Sequence, residues 1–523
     1  MNISLLLEMA ADAFGDRIAV GGRADGISYA GLLDRARRGA ALIGRHDVQR
    51  VGLVDVSSAA QPILLFASSL AGRPFAPVNY RLADDRLRAL AARTAPALFV
   101  TGRDDQPRLA GLDGIQTLSR DAFLAALGDQ PAGGGEPDPA GEDIAVWIFT
   151  SGTTGPPKAA ILRQRHLFSY VTATGELGAA DEDEAALVSV PPYHIAGVAA
   201  VLTNVYAGRR LVYLPRYSPQ AWVAAARAES VTHAMVVPTM LAGILDALQA
   251  GGAALPALRS LSYGGGRMPV PLIERALAML PQASFVNGYG LTETSSTITL
   301  LSPEDHRRAV ASTDPSVRRR LGSVGRAIPA VQLEIRDAGG QVTGPGVPGE
   351  VWVRGDHIAG EYTEGAALTG DGWFPTHDGG WLDEDGYLFI EGRLDDVIVR
   401  GGENISPAEI ENVILEHPGV AQAAVVGVPD EVWGEVPAAF LVLAPGRAAE
   451  PEDIRDWVRG RLRSTRVPAH VEVVPELPYN ELGKLLRREL RAGFAGRQAG
   501  AGPAAPGVSP AAAGERASGP QRP

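Results

Sequence analysis

The chain has 523 residues, too many for one ordinary hydrophobic core, so more than one domain is expected. Hydrophobic residues make up 46% and charged residues 21%, the proportions of a soluble globular protein, and the net charge of −12 argues against nucleic acid as the main partner. The absence of cysteine excludes disulfides, thiolate metal sites and a cysteine nucleophile, so any thioester chemistry needs an external thiol.

The N-terminal stretch MNISLLLEMAADAFGDR lacks a basic leader and is broken by Glu8, which predicts the start of a helix and not a signal peptide. No apolar run reaches the ~18 residues of a membrane span, and a cytoplasmic protein is expected. From about residue 50 to 290, short apolar runs alternate with helical patterns. VGLVDV, ALFVT, IAVWIFT, ALVSVP, HAMVVP and SLSYGG read as buried strands, while SPQAWVAAARAES and VPLIERALAML carry helical spacing. This alternation predicts parallel sheets with crossover helices, in which ligands gather beyond the carboxyl ends of the strands. PAGGGEPDPAGED, residues 131–143, reads as a flexible connection.

After Ser323 the segments VQLEIRD, GEVWVRG and GYLFIEGR predict an antiparallel β-rich subdomain. A smaller α+β unit follows Arg393. Its helix SPAEIENVILEH is expected to start with Ser406 as cap, Pro407 in the first turn and Glu409 completing a capping box. Ile410, Val413 and Ile414 form its apolar stripe. From about Ala492 the chain is rich in Ala, Gly and Pro and is expected to be a disordered tail.

FTSGTTGPPKAA, residues 149–160, follows a predicted strand. Gly152 and Gly155 allow a tight turn whose N–H groups form an anion nest. Thr150, Ser151, Thr153 and Thr154 add hydroxyls, and Lys158 adds charge. Two prolines before the lysine and alanines after it rule out the Walker spacing, so this is a different phosphate loop. A bare Gly-Thr cluster would read as a solvated turn.

The full stretch resembles the signature of the adenylate-forming superfamily: acyl-CoA synthetases, aryl-CoA ligases, peptide-synthetase adenylation domains and luciferases. Further segments match in order: PPYHIAG (191–197), NGYGLTETS (287–295), THDGGWLDEDGYLFIEGRLDD (376–396), RGGENISPAEIE (400–411) and NELGKLLRREL (480–490). The likeness covers roughly residues 10–490 and is greatest to aryl- and fatty-acyl-CoA ligases. It implies an α/β protein with a large N-terminal domain of layered α/β subdomains and a β-rich subdomain, residues 1–392. A hinge at 393–396, a small mobile α+β domain at 397–491 and the tail at 492–523 complete the expected order.

The resemblance also implies roles. ATP, Mg²⁺ and coenzyme A are the expected cofactors. Glu293 would hold Mg²⁺, Thr292 would meet the α-phosphate, and Tyr289 beside Gly290 would stack on adenine. Asp378 and Arg393 would bind ribose, although the usual Thr-Gly-Asp reads Thr376-His377-Asp378 here. Lys484 would neutralise the α-phosphate and the attacking carboxylate during adenylation. Rotation about Asp395 would then withdraw Lys484 and bring up Gly401 and Gly402 for thioester formation. Trp433 could support the CoA side or be a core tryptophan.

The acyl pocket is expected near Tyr193, His194, Gly264, Gly265 and Gly266, the glycines leaving tunnel space and Gly265 and Gly266 also lining the nucleotide. His194 reads equally as a catalytic or a structural histidine. Ile195, Val198 and Met235 point to a hydrophobic acid, whether fatty, aromatic or polycyclic, and PPYHIAG offers no carboxylate for an amino-acid ammonium. The expected activity is therefore an acid–thiol ligase making an acyl-CoA through an acyl adenylate, with a homodimer admitted as its assembly. The competing readings are loading of a carrier protein, a single half-reaction, a luciferase-like oxygenase and a non-catalytic binding protein.

Overall fold

In a computed structural model, the structure describes residues 1–133, 140–150, 158–252, 254–444, 446–479 and 485–500. The chain forms two compact units, one of Met1–Val397 with Tyr479–Leu485, the other of Ile398–Pro478 with the chain from Leu486. The expected hinge residues 393–396 all fall within the first unit.

Two large sheets carry the first unit. In the nine-stranded sheet, Ser284–Leu291, Ser260–Gly264, His233–Val236, Ala185–Val188 and Arg210–Tyr213 lie side by side in parallel. In the eight-stranded sheet, Phe75–Pro77, Arg50–Val54, Ala97–Thr101 and Ile115–Ser119 are parallel. The predicted strand–helix alternation is thus realised. Strand runs such as ALFVT are buried throughout because helices cover both faces of a parallel sheet. The sheets are mixed, however. Ile144–Thr150 returns as Lys158–Arg163 in an antiparallel hairpin, and Ser284–Leu291 pairs antiparallel with Ser296–Leu301. The stretch read as a phosphate loop therefore leads into a strand and not into a helix.

The predicted helices form as Pro219–Ala228 and Val270–Met279. Ser218 caps the first, accepting from Ala221 N at 3.1 Å, with Pro219 in the opening turn. The N-terminal helix spans Ser4–Phe14 and buries Leu6, Leu7 and Ala10 in the main core. The expected β-rich subdomain is an antiparallel sheet of Gln332–Arg336, Gly349–Arg354, Phe374–Leu382 and Leu388–Arg393.

In the second unit, Val420–Asp430 and Gly434–Leu443 form a long antiparallel pair covered by the helix Pro407–Leu415. Ile410 and Ile414 are fully buried, as the stripe predicts. The expected capping box is not formed. Ser406 holds the N-cap position, but Glu409 accepts instead from Arg466 Nε at 3.1 Å, a charge-assisted bond that outcompetes the helix end. The expected tail also starts too early. A helix spans Arg487–Gly500, anchored by buried Leu490 and by Phe494, whose ring meets Phe440 at 6.3 Å and His470 at 4.9 Å. Alanine favours helix once one aromatic side chain gives the segment something to bury. The remainder of that expected tail, residues 501–523, lies outside the described residues, as do residues 134–139 of the flexible connection.

Candidate active site

The site is assembled where the hairpin, the strand end NGYG and the β-rich sheet come together. Thr150 and Lys158 are register partners at the hairpin mouth, with Thr150 Oγ1 donating to Lys158 O at 3.4 Å. Ser151, Gly152, Thr153, Thr154 and Gly155 belong to the connection and lie outside the described residues. Lys158 is exposed, and its ammonium stands 5.5 Å from the Tyr362 ring centroid.

Downstream of Tyr289 the backbone turns sharply. A Cβ on Gly290 would fall 1.6 Å from Ser296 O, so this position needs glycine. Thr292–Thr294 make a 3₁₀ turn, closed by Leu291 N donating to Thr294 Oγ1 at 2.9 Å. Ser295 (φ 53°) and Ser296 (φ 114°) then hold positive φ, a strained conformation for residues with a side chain. This turn sets Thr292 and Glu293 at the site. Glu293 Oε1 accepts from the Tyr362 hydroxyl at 2.6 Å, and Glu293 O accepts from Ala359 N at 2.8 Å.

Asp378 is buried at 5% exposure and is held from two sides. Tyr289 donates to Oδ2 at 2.6 Å, and Arg393 Nε pairs with Oδ1 at 3.1 Å. Arg393 Nη1 also donates to Thr376 O at 2.7 Å. Burial and the Asp378 charge both push the Tyr289 phenol well above its usual value, so it stays a donor. For Arg393, burial acts to lower the pKa, but Asp378, Tyr289, Glu293 and Tyr362 raise it more, in that order. Of the two acidic positions, Asp378 pairs with the guanidinium directly, while Glu293 is bonded by Tyr362. The local departure is accommodated in the backbone: His377 adopts φ 58° and its ring nitrogen meets Glu350 at 3.1 Å.

Asp395 lies in the 3₁₀ turn Leu394–Asp396 of the first unit. Gly401 and Gly402, in the second unit, both hold positive φ (57° and 85°) in the two-residue hairpin joining Ile398–Arg400 to Glu403–Ile405. A Cβ on Gly401 would meet the Trp433 ring at 2.8 Å. Trp433 is half exposed, which removes the core reading. Lys484 lies outside the described residues.

Tyr193 is buried, its ring edge-on to Tyr80 at 5.8 Å and 4.6 Å from the His194 ring. Burial, with a smaller push from Arg81, lowers the His194 pKa to about 4, so the imidazole is neutral near pH 7. Its Nε2 is buried and makes no hydrogen bond. Gly264 does not widen a tunnel: a Cβ there would lie 2.3 Å from Gly288 O, so the glycine serves close strand packing. Gly265 is an exposed turn residue at φ 74° and Gly266 is half-buried. Val198 belongs to the core and is fully buried, with Ile195 and Met235 packed against it. A cavity of ≈ 230 Å³ opens nearby at the carboxyl ends of the parallel strands, lined by Ser57, Tyr80, Arg81, Ser189, Tyr217 and Met240 among others. Tyr362 was not legible as a site residue, because GEYTEG carries no chemical signature before folding brings it to Glu293.

An AMP-binding enzyme family matches residues 7–363, and the AMP-binding enzyme C-terminal domain family matches residues 409–484. A fatty acid–[acyl-carrier-protein] ligase of Streptomyces coeruleorubidus is 34% identical over 83% of this chain and 85% of its own. A feruloyl-CoA synthase of an Amycolatopsis species is 34% identical over 90% and 94%, respectively. A 2-succinylbenzoate–CoA ligase of Bacillus cereus is 38% identical over 67% and 70%. Among solved structures, the o-succinylbenzoate CoA synthetase of Bacillus subtilis with its acyl-adenylate intermediate aligns at TM-score 0.79 and 28% identity, covering 93% of this chain and 97% of its own. ATP-bound MatB of Rhodopseudomonas palustris aligns at 0.84 and 26%, covering 94% and 99%.

Proposed function

The chain belongs to the AMP-binding enzyme family of the adenylate-forming superfamily, and from that premise we infer that it is an AMP-forming acid–thiol ligase. It joins a hydrophobic carboxylic acid to coenzyme A, using ATP and Mg²⁺. The observation that carries the reading is the buried Asp378, bonded by Tyr289 at 2.6 Å and paired with Arg393 at 3.1 Å, together with Glu293 bonded by Tyr362 at 2.6 Å.

A carboxylate is a poor electrophile. In the first half-reaction its oxygen attacks the α-phosphorus of ATP, and the bond to pyrophosphate breaks. In the second, the thiol sulfur attacks the acyl carbonyl, the bond to AMP breaks and the thiol proton is lost. Positioning and charge neutralisation do most of the work. Asp378 and Arg393 take the ribose side, Tyr289 holds Asp378 and supplies a ring for adenine beside Gly290. Thr292 meets the α-phosphate. Thr150, Lys158 and the connection between them hold the leaving phosphates.

Glu293 offers a carboxylate oxygen, a hard donor that suits Mg²⁺. Among the described residues no cluster of three or more His, Cys, Asp or Glu could hold a metal. Mg²⁺ would be held by nucleotide phosphates together with the Glu293 carboxylate. When bound, Mg²⁺ neutralises phosphate charge.

Lysine usage supports these assignments. The chain has 48 basic residues, and the only lysines are Lys158 and Lys484. An ammonium is a compact point charge that an arginine fork does not reproduce. In this reading Lys484 serves adenylation, Asp395 is the hinge, and Gly401 and Gly402 approach pantetheine in the second half-reaction. Tyr193 and His194 flank the acid, with His194 neutral. The enzyme is placed in the cytoplasm.

Aromatic acids head the substrate panel, because the relatives include feruloyl-CoA and 2-succinylbenzoate–CoA ligases. Fatty and polycyclic acids belong on it too. The likeness to a ligase named for a carrier protein favours one alternative acceptor. Incubation with ATP, Mg²⁺, CoA and the acid panel, with mass spectrometry of acyl-AMP and acyl-CoA, tests the reading. Acyl-AMP without acyl-CoA would favour a carrier protein or a single half-reaction. Neither product from any acid would overturn the assignment.

A further inference from the structure

Glu293 is gripped at both ends by one short segment. Its carbonyl accepts from Ala359 N at 2.8 Å and Gly360 N at 3.2 Å, and its carboxylate Oε1 accepts from the Tyr362 hydroxyl at 2.6 Å. The two-residue strand Glu361–Tyr362 is itself fastened to the hairpin. Tyr362 pairs with Ala160, and Thr363 N donates to Ala159 O at 3.1 Å. Glu361 takes a bidentate grip on Arg163, at 2.8 and 2.9 Å. Lys158, at the start of the same strand, holds its ammonium 5.5 Å from the Tyr362 ring centroid. One tyrosine therefore touches the acidic residue, the lysine and the strand that leaves the phosphate-loop stretch.

The chemistry of the contact has a direction. A phenol can orient a carboxylate only while it keeps its proton. Here the phenolic O–H donates and the carboxylate oxygen accepts. The bond restrains the carboxylate through Oε1 and leaves it acceptor capacity for a cation. A glutamate side chain, with three rotatable bonds, would otherwise sample several rotamers.

We propose that Tyr362 is a positioning residue whose hydroxyl aims the Glu293 carboxylate at the nucleotide-bound cation and couples it to the strand bearing Lys158. This rests on the assignment of Glu293 to Mg²⁺ made above.

The full-length Tyr362→Phe variant removes the hydroxyl and keeps the ring beneath Lys158. Mn²⁺ binding is followed by electron paramagnetic resonance with a non-hydrolysable ATP analogue, beside the Mg²⁺ dependence of adenylation and the thermal midpoint. The expected result is a metal affinity weaker by about tenfold, the scale of one charge-assisted hydrogen bond, with the KM for the acid unchanged. Glu293→Gln should weaken binding at least as much, and the double variant should lose less than the sum. Wild-type metal affinity in Tyr362→Phe, with Glu293→Gln impaired, overturns the tyrosine's role and leaves the metal assignment standing. Unchanged affinity in Glu293→Gln overturns both. A lowered midpoint with metal, nucleotide and acid affinities all falling together makes Tyr362 merely structural and also overturns the proposal.

Discussion

Tyr289 and Asp378 lie 89 positions apart in the chain and meet in a hydrogen bond of 2.6 Å, phenol to carboxylate. Strand register accounts for the geometry. Tyr289 sits on the strand Ser284–Leu291, while Asp378 faces Arg393 across the antiparallel pair Phe374–Leu382 and Leu388–Arg393. Both oxygens of the buried Asp378 carboxylate are thereby partnered, one by the phenol and one by the guanidinium.

Removing that phenol should loosen the nucleotide site without unfolding it. Tyr289→Phe is expected to raise the KM for ATP by roughly tenfold, the scale of one hydrogen bond to a charged group. Asp378→Asn should cost more, because it leaves the half-buried Arg393 without its counter-charge, and stability should fall as well. Pyrophosphate exchange against ATP concentration and thermal denaturation check the two. An unchanged KM for ATP in both variants would remove Asp378 from the nucleotide site.

Lys484→Ala should cripple adenylation while sparing thioester formation from supplied acyl adenylate. The lost charge stabilises only the first transition state, so a fall of at least about a hundredfold is expected in that half-reaction alone. Assays of each half-reaction decide it, and equal loss in both would remove the residue from its role.

Asp395→Pro restricts φ next to Leu394. Adenylation should remain within about twofold of the parent, while thioester formation falls by more than tenfold if the two half-reactions use different arrangements of the units. Acyl-CoA synthesis at the parental rate would count against alternation.

Stability should decline on mild acidification. Burial, the first cause in each case, lowers His166 to about 3 and His194, His233 and His357 to about 4, from an ordinary 6.5. Below pH 6.5 the unfolded chain takes up protons that the native state refuses, so the native state loses ground progressively down to about pH 4 and is unaffected above 6.5. Thermal midpoints across pH 4–8 should show this slope. His357→Gln should flatten it, and a midpoint independent of pH over that window would contradict the buried neutral state.

Much of the scaffold follows from local pattern. Runs such as ALFVT and HAMVVP, and helices such as SPQAWVAAARAES, announce themselves through periodicity and caps, because burial on a sheet or a helix face repeats at short intervals. The Gly–hydroxyl–Lys stretch and Asp378 are legible for a related reason: reaction chemistry demands given residue types at given spacings. Pairings across long sequence distances carry no such repeat. Tyr362 reached Glu293, and Arg393 and Tyr289 met Asp378, only when strands from separate segments came into register. Glu409 bonded Arg466 rather than closing its helix cap, and Phe494 found Phe440 and extended the last helix into the expected tail. For Glu409 a charge-assisted contact with a distant partner replaced a local cap worth about 1 kcal/mol, and for Phe494 a distant contact added to the helix preference of alanine. Sequence alone therefore determined the elements, their order and the class of chemistry. Tertiary structure decided which side chains hold the acidic groups in place, because hydrogen bonds of under 3 Å depend on where strands meet in space and not on how far apart their residues lie along the chain.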